Sequence, residues 1–247
     1  MTKLVGILNV TPDSFSDGGL YTNPQKAIER AVQLFKDGAD IIDIGSESTR
    51  PNAPAISFRE EWSRLEHILP KLLETYPGMI SLDTYHPETV LRALDLGEVI
   101  INDVTGMQNP KMVEIVAKYK PICIVCELPA TDVQKAHSGE LLNDIEKVKR
   151  DLLLKRSELI TRGLNKKDII LDPGIGFGKT PELNRKLLRF AEEIPDSPVM
   201  IGYSKKRFLG EHRMKLETNL KAGKIAIKSG AAFLRVHDVE GHRQLLY

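Results

Sequence analysis

Polar side chains of the kinds that bind polar ligands recur where short β-branched runs of this chain end. These residues are Asn9, Glu47, Asp83, Asn102 with Asp103, Asp172, Ser204 with Lys206, and Arg235 with His237. A single Asp at a strand end has an ordinary structural explanation, because it commonly caps the following helix. Burying many ionisable groups together is costly unless they are paired or liganded. Their recurrence therefore predicts a pocket for a polar small molecule.

The runs that carry these residues alternate with helical patterns. Strands are predicted at residues 4 to 9, 39 to 45, 79 to 83, 98 to 103, 121 to 126, 168 to 174, 198 to 204 and 232 to 238. Amphipathic segments that predict helices span 23 to 40, 58 to 76, 86 to 96, 110 to 118, 141 to 163, 181 to 194 and 216 to 229, with a short last helix from about Glu240. In the first helix, apolar residues recur at helical spacing from Ala27 to Phe35, and Gly38 ends it.

Eight strand-then-helix units in 247 residues predict an α/β fold, a single (β/α)₈ barrel that forms one domain over residues 1–247. In such a barrel all strand ends share one face, so distant residues converge on one pocket. A doubly wound open sheet is the alternative. That fold would place a glycine-rich phosphate-binding turn after the first strand, but the residues after Asn9 read VTPDSFSDGG.

Charge and composition exclude several classes of function. Lys and Arg total 35 against 34 Asp and Glu, so the formal charge of +1 supplies no global field for nucleic acid or an anionic membrane. No stretch approaches the roughly 20 apolar residues that span a bilayer. The N-terminus, MTKLVGILNV, reads as a first strand and not as a signal peptide, which predicts a cytoplasmic protein.

The only two cysteines, Cys123 and Cys126, form a C-x-x-C pattern. They fall in the predicted fifth strand, where residues three apart point to opposite faces. The pair is therefore predicted not to converge on a metal or to form a redox centre.

Five segments carry a family resemblance. They are N-V-T-P-D-S-F-S-D-G-G (9 to 19), D-I-G-S-E-S-T-R-P (43 to 51), L-D-P-G-I-G-F-G-K (171 to 179), S-K-K-R-F (204 to 208) and R-V-H-D-V (235 to 239). In this order, along the whole chain, they resemble the dihydropteroate synthases, pterin-binding TIM-barrel enzymes of folate biosynthesis. The resemblance implies a transferase of a non-methyl alkyl group that condenses 6-hydroxymethyl-7,8-dihydropterin diphosphate with 4-aminobenzoate. It also implies Mg²⁺, a homodimer and a target of sulfonamides.

The resemblance implies a pterin subsite formed by Asp83, Asn102, Asp172 and Lys206. The 2-amino-4-oxo edge of a pterin presents N–H donors beside a carbonyl acceptor. A carboxylate at Asp172 suits the donors, and a cation at Lys206 suits the oxygen.

Two further subsites follow from the same resemblance. The diphosphate subsite comprises Asn9, Asp17, Thr49, Arg235 and His237, and Asn9 with Asp17 supplies oxygen ligands for Mg²⁺. The 4-aminobenzoate subsite comprises Arg50, Pro51, Phe177, Ser204, Lys205 and Arg207. Ser204, Lys205 and Arg207 are predicted near the start of the next helix, a place that suits a carboxylate.

The residues implied to act in catalysis are Lys206, Asp83, Asp172, Arg235 and His237. Charge stabilisation at the departing diphosphate and positioning of two substrates need no nucleophilic triad, which agrees with the absence of G-x-S-x-G and H-E-x-x-H. The alternatives are a related pterin methyltransferase and a non-catalytic pterin-binding subunit.

The chain departs from the family pattern at the end of the fifth strand, at Lys205 and in its short final helix. The fifth strand usually ends in Met-His-Met, and here the stretch reads Ile-Val-Cys-Glu-Leu-Pro. In that register Val125 and Glu127 replace pterin-side contacts, and Glu127 adds a negative charge for which the sequence identifies no partner. Lys205 stands where Arg is usual, and the two cations differ in how they bind planar anions.

Overall fold

The computed structural model describes residues 1–11, 24–48, 54–130, 136 and 140–246. Its eight strands are β1 (Lys3–Asn9), β2 (Ile41–Gly45), β3 (Ile80–Asp83), β4 (Ile100–Asp103), β5 (Cys123–Cys126), β6 (Ile169–Asp172), β7 (Met200–Ile201) and β8 (Phe233–Val236). Each lies inside one of the eight predicted runs or extends it by a single residue.

The α-helices of the described residues follow the strands, as predicted. They are α1 (Pro24–Lys36), α2 (Phe58–Leu65), α3 (Leu69–Thr75), α4 (Pro87–Leu96), α5 (Pro110–Tyr119), α6 (Ile145–Thr161), α7 (Pro181–Lys186), α8 (Leu216–Lys228) and α9 (Val239–Arg243). Several begin at proline, which lacks the N–H that the first helical turn cannot pair. The segment predicted as one helix over residues 58 to 76 forms two, α2 and α3, with Pro70 in the first turn of the second.

The strands form a barrel. Every pairing in the sheet is parallel, and the strand order is β6-β5-β4-β3-β2-β1-β8-β7. A parallel bridge between Leu171 and Val199 joins its two ends, with the Leu171 N–H donating to the Pro198 carbonyl at 2.9 Å. This nearly closed barrel confirms the predicted fold class and rules out the open doubly wound sheet.

Apolar side chains pack on both sides of the strands. A large core lies between the strands and the helices, and a small one fills the barrel interior with Val5, Ile41, Ile100, Ile124, Ile170 and Met200, against which Phe233 packs. Cys123 belongs to the large core, whereas Cys126 packs with Phe177 near the end of the barrel. The two thiols therefore face opposite ways, as predicted, and burial raises the pKa of both.

Within the described parts of the chain, none of the helices combines the length and the apolar character needed to cross a membrane.

Candidate active site

The interior of the barrel changes from apolar to polar at one level. Side chains alternate between faces along a strand, so the residue two positions after an inward-facing one also faces inward. Five residues each follow a residue of the apolar interior by two positions and so also face inward: Asp43, Asn102, Cys126, Asp172 and Arg235. The structure therefore brings Asn102, Asp172 and Arg235 together in this layer.

Asp43 is the most heavily hydrogen-bonded side chain of this layer, and it is absent from the residues predicted to form the site. Its carboxylate accepts from Ser81 Oγ at 2.6 Å, from Asn102 Nδ2 at 3.0 Å and from Arg235 Nε at 2.6 Å. It is fully buried. A charged residue inside the run IIDIG was the available signal, since a buried carboxylate in a strand requires partners.

Arg235 joins the carboxylates of two strands. Its Nε donates to Asp43, and its Nη2 donates to Asp83 Oδ2 at 2.6 Å. Burial alone would lower the pKa of Arg235, but the two carboxylates outweigh it and raise the pKa, so the guanidinium stays charged. Burial raises the pKa of Asp83, and Arg235 opposes that shift. The predicted pterin residue Asp83 and the predicted diphosphate residue Arg235 thus form one unit.

Asp172 and Lys206 meet Arg235 above Gly202. A Cβ on Gly202 would lie 3.6 Å from Asp172 Oδ2 and 3.8 Å from both Lys206 Nζ and Arg235 Cβ, so only a small residue leaves this space open. The Gly174 N–H donates to Asp172 Oδ1 at 2.8 Å and fixes the carboxylate. Burial lowers the pKa of Lys206 to about 8, although Asp172 acts to raise it. Burial raises the pKa of Asp172, and Lys206 opposes that shift.

Phe177 lies beside Lys206 on the turn after β6. The ammonium of Lys206 lies 5.1 Å from the centroid of the Phe177 ring and donates to the Ile175 carbonyl. Gly176 lets the lysine stem approach, because a Cβ there would stand 3.0 Å from Lys206 Cδ. The predicted aminobenzoate residue Phe177 and the predicted pterin residue Lys206 are therefore neighbours.

His237 and Ser204 are paired at the ends of two neighbouring strands. Their Nδ1 and Oγ atoms lie 3.0 Å apart, and the His237 N–H donates to Ser204 Oγ at 3.3 Å. The family resemblance assigns His237 to the diphosphate and Ser204 to the aminobenzoate. The contact shows that these two residues adjoin.

Lys205 and Arg207 do not lie at the start of an α-helix, and that prediction is wrong. Arg207 is exposed and begins a three-residue 3₁₀ helix, Arg207–Leu209, while α8 starts only at Leu216. Lys205 adopts a left-handed conformation with φ of 60°, and its N–H donates to Asn219 Oδ1 at 2.8 Å. A single 3₁₀ turn has little aligned dipole, so any attraction for a carboxylate comes from the side-chain charges.

Asn9 is the last residue of β1 and is exposed at the same face of the barrel. An amide oxygen suits Mg²⁺, a cation that prefers oxygen ligands, so this residue fits the predicted metal. The predictions for Asp17, Thr49, Arg50 and Pro51 lie outside the described residues.

Two of the predicted strand-end carboxylates hold loops. Asp103 accepts from the N–H and Oγ1 of Thr105 and from the Met107 N–H. Glu47 accepts from Tyr85 Oη at 2.6 Å and from the Ile56 N–H at 3.3 Å, and its other oxygen lies 3.2 Å from His86 Nε2. Glu47 therefore connects the segment after residue 53 to the end of β2.

The predicted assignment of pocket-facing residues at the end of β5 is wrong by one residue. Val125 lies in the core between strands and helices, whereas Cys126 and Leu128 pack beside Phe177. Glu127 is buried, and its Oε2 lies 2.5 Å from Nζ of Lys179. The negative charge of Glu127, for which the sequence identifies no partner, is thus compensated by a lysine 52 residues away.

Comparison with known proteins places this geometry in a family. Residues 5–237 match the family described as pterin binding enzyme. The dihydropteroate synthase of Neisseria meningitidis serogroup C is 38% identical over 251 residues, which cover 96% of this chain and 88% of that protein.

Solved structures give the same result. The Yersinia pestis dihydropteroate synthase, in a complex with a sulfonamide drug, superposes with a TM-score of 0.90 at 30% identity, covering 99% of this chain and 92% of that one. The Thermus thermophilus enzyme, in complex with 4-aminobenzoate, gives 0.85 at 35% identity with coverage of 99% and 92%.

Proposed function

The chain belongs to the dihydropteroate synthases of the pterin-binding enzyme family, and from this premise we propose how its residues divide the work. The reaction joins 6-hydroxymethyl-7,8-dihydropterin diphosphate to 4-aminobenzoate and releases pyrophosphate. The observation that carries the division is the meeting of the Asp172 carboxylate and the Lys206 ammonium above Gly202, beside the Cβ of Arg235. The carboxylate and the ammonium face a space with an apolar floor, and Asp43 and Asp83 hold the Arg235 guanidinium in the same layer, which suits a flat heterocycle joined to a polyanion.

Asp172 and Lys206 bind the pterin edge, with Asp83 and Asn102 completing its hydrogen bonds. Gly174 holds Asp172 Oδ1, while Oδ2 faces the space above Gly202, where it can accept from the pterin N–H groups. The Lys206 ammonium donates to the pterin oxygen, and in exchange it gives up its contact with the Ile175 carbonyl. Among the described residues, the Lys206 ammonium has one hydrogen bond, to that carbonyl, and lies over the Phe177 ring, so it is well placed for that exchange.

Arg235 and His237 bind the diphosphate, together with Thr49. Asp43 and Asp83 each accept one N–H of the Arg235 guanidinium and fix its plane, and its remaining N–H groups suit phosphate oxygens. Ser204 holds the imidazole of His237 through a 3.0 Å contact with Nδ1, and the ring positioned in this way contacts the anion. Asn9 and Asp17 would hold Mg²⁺, whose charge, when it is bound, stabilises the leaving diphosphate.

The chemical step replaces a C–O bond by a C–N bond. As the methylene carbon loses the diphosphate oxygen, its positive charge is shared with the pterin ring, and Arg235 stabilises the negative charge that leaves. The neutral amine of 4-aminobenzoate then attacks the carbon and afterwards loses a proton to solvent. No side chain is required as a nucleophile, so most of the acceleration comes from positioning.

The second substrate packs on Phe177, with Ser204, Lys205 and Arg207 near its carboxylate, and the family resemblance also assigns Arg50 and Pro51 to this subsite. A sulfonamide drug is present in the structurally similar Yersinia pestis enzyme. We expect sulfonamides to inhibit this chain competitively with 4-aminobenzoate. A homodimer and a cytoplasmic location complete the proposal from the family resemblance, and sedimentation analysis and cell fractionation test them.

The deciding experiment measures pyrophosphate release by the purified chain. With Mg²⁺, the pterin diphosphate and 4-aminobenzoate we expect turnover that stops when either organic substrate is omitted. Chelation of the metal by EDTA should abolish turnover, and added Mg²⁺ should restore it. Pterin binding without turnover would instead indicate the non-catalytic binding subunit, and methyl transfer from a folate would indicate the methyltransferase.

A further inference from the structure

The turn after β6 lies between two lysines. On the pocket side, Lys206 donates to the Ile175 carbonyl. On the far side, Lys179 Nζ donates to the carbonyls of Glu127 at 3.1 Å, Gly174 at 3.0 Å and Phe177 at 3.2 Å. Lys206 is assigned to the pterin, whereas Lys179 has no part in the proposed binding or chemistry.

The Lys179 ammonium is enclosed. Its side chain is 0% exposed and that of Glu127 is 3% exposed, with 2.5 Å between Nζ and Oε2. An ammonium has three N–H donors, and here the three backbone carbonyls accept them. The Glu127 carboxylate therefore contributes the compensating charge, without which a buried ammonium would be costly.

The same pair joins the end of β5 to the turn at a close approach of the two backbones. Gly174 has a φ of 65°, and a Cβ there would stand 2.0 Å from the Glu127 carbonyl oxygen. The Phe177 N–H donates to the Gly174 carbonyl at 3.1 Å and closes the turn. Lys179 binds both carbonyls of this approach together with that of Phe177, so it fixes the backbone that carries the aromatic ring.

We propose that the Glu127–Lys179 pair is a positioning element for the 4-aminobenzoate subsite, holding the turn so that the Phe177 ring stays where the second substrate packs. The inference rests on the proposed function at one point, the contact between Phe177 and 4-aminobenzoate. The pair touches neither substrate, and it acts through the backbone of residues 174–177.

This role differs from that of a buried ion pair that merely stabilises the fold. Replacing both charges by apolar side chains of similar volume commonly leaves stability nearly unchanged. The same replacement removes all three donors to the turn. A double variant therefore separates the two roles, because it removes the cost of a stranded charge without restoring the position of Phe177.

The test compares Glu127→Met/Lys179→Met with the single variant Lys179→Met and with a matched control, Lys155→Met. Like Lys179, Lys155 donates to a loop carbonyl, that of Met107 at 3.0 Å, and is paired with a glutamate, Glu158. Steady-state pyrophosphate release gives kcat and both KM values, and urea unfolding gives stability. Amide hydrogen exchange of the peptide covering residues 173–180 reports the turn without reference to activity.

We expect the double variant to fold, to raise the KM for 4-aminobenzoate at least about tenfold, and to keep kcat and the pterin KM within about threefold. Amide exchange in residues 174–177 should accelerate roughly tenfold. Lys155→Met should leave both measurements at the wild-type level. Lys179→Met, which strands the Glu127 charge, should be less stable than the double variant.

A folded double variant with the wild-type KM for 4-aminobenzoate would overturn the proposal. So would an equal change of kcat and both KM values that Lys155→Met shares, since that is the pattern of general destabilisation. If the wild-type chain showed no turnover, the proposed function would fail, and the exchange data would still decide whether the pair holds the turn. Unchanged exchange would overturn the proposal in that case too.

Discussion

The Asp43→Asn substitution tests whether a buried charge beneath Arg235 organises the pocket. Asp43 accepts from Ser81, Asn102 and Arg235 at 2.6, 3.0 and 2.6 Å and is fully buried. Asparagine has almost the same shape but no charge. Its NH₂ group would also face one of the three donors, so one hydrogen bond becomes a repulsive contact.

The expected cost follows from these contacts. A hydrogen bond to a charged group contributes about 1.5–3 kcal/mol, and breaking a buried ion pair costs about 3–5 kcal/mol. Arg235 retains Asp83 at 2.6 Å, which keeps part of its compensation. We therefore expect about 3 kcal/mol of lost stability. We also expect kcat/KM for the pterin diphosphate to fall up to about a hundredfold, because the guanidinium loses one of its two anchors.

Urea unfolding and steady-state kinetics measure the two effects. Ser81→Ala is the matched control, because it removes one neutral donor from the same carboxylate and should cost only about 1 kcal/mol with kcat/KM nearly unchanged. If Asp43→Asn stayed within about 0.5 kcal/mol of the wild type and kept its kcat/KM, the buried charge would not organise Arg235.

Three further outcomes are expected. The pKa of Lys206 is lowered to about 8, so kcat/KM for the pterin diphosphate should decline as pH rises through about 8. Lys206→Arg should remove that decline. An unchanged pH profile would contradict the role of Lys206 as the cation that binds the pterin. Asp172→Asn should raise the pterin KM by about tenfold or more, whereas Arg50→Ala should mainly raise the 4-aminobenzoate KM, and equal effects on both substrates would argue against separate subsites. Burial lowers the pKa of His86, but Glu47 and nearby carboxylates outweigh it and raise the pKa overall. The His86–Glu47 pair should thus stabilise the fold fully below about pH 6.5 and lose this effect at higher pH. In urea unfolding, His86→Asn should therefore cost about 1 kcal/mol more at pH 6 than at pH 9. A cost that does not change with pH would contradict this role of the pair.

Most of the fold could be predicted because its signals are local. Each strand is a short β-branched run, and each helix shows apolar spacing or a proline start, so the alternating order was readable without tertiary information. The barrel follows from eight repeats of this unit. The break between α2 and α3 was missed because apolar spacing continues across it, and Pro70 is compatible with either a helix start or an interior kink.

The site was predictable where a residue ends a strand and less so where it contacts partners across the barrel. Asn102, Asp172 and Arg235 converge because parallel strands end at one face. Asp43 was missed because its importance lies in three donors from three other strands, none of them near it in sequence. The dipole argument for Arg207 failed because sequence pattern does not distinguish a short 3₁₀ turn from the start of an α-helix.

The departure at the fifth strand shows why an unusual residue is best assessed with its spatial partner. With the register shifted by one, Cys126 and Leu128 are the residues beside Phe177, so the pocket wall stays apolar. Glu127 points away from that wall toward Lys179. The negative charge therefore does not enter the pterin pocket, where it would oppose the diphosphate. It instead balances a cation that the turn after β6 requires, and the departure is compatible with catalysis.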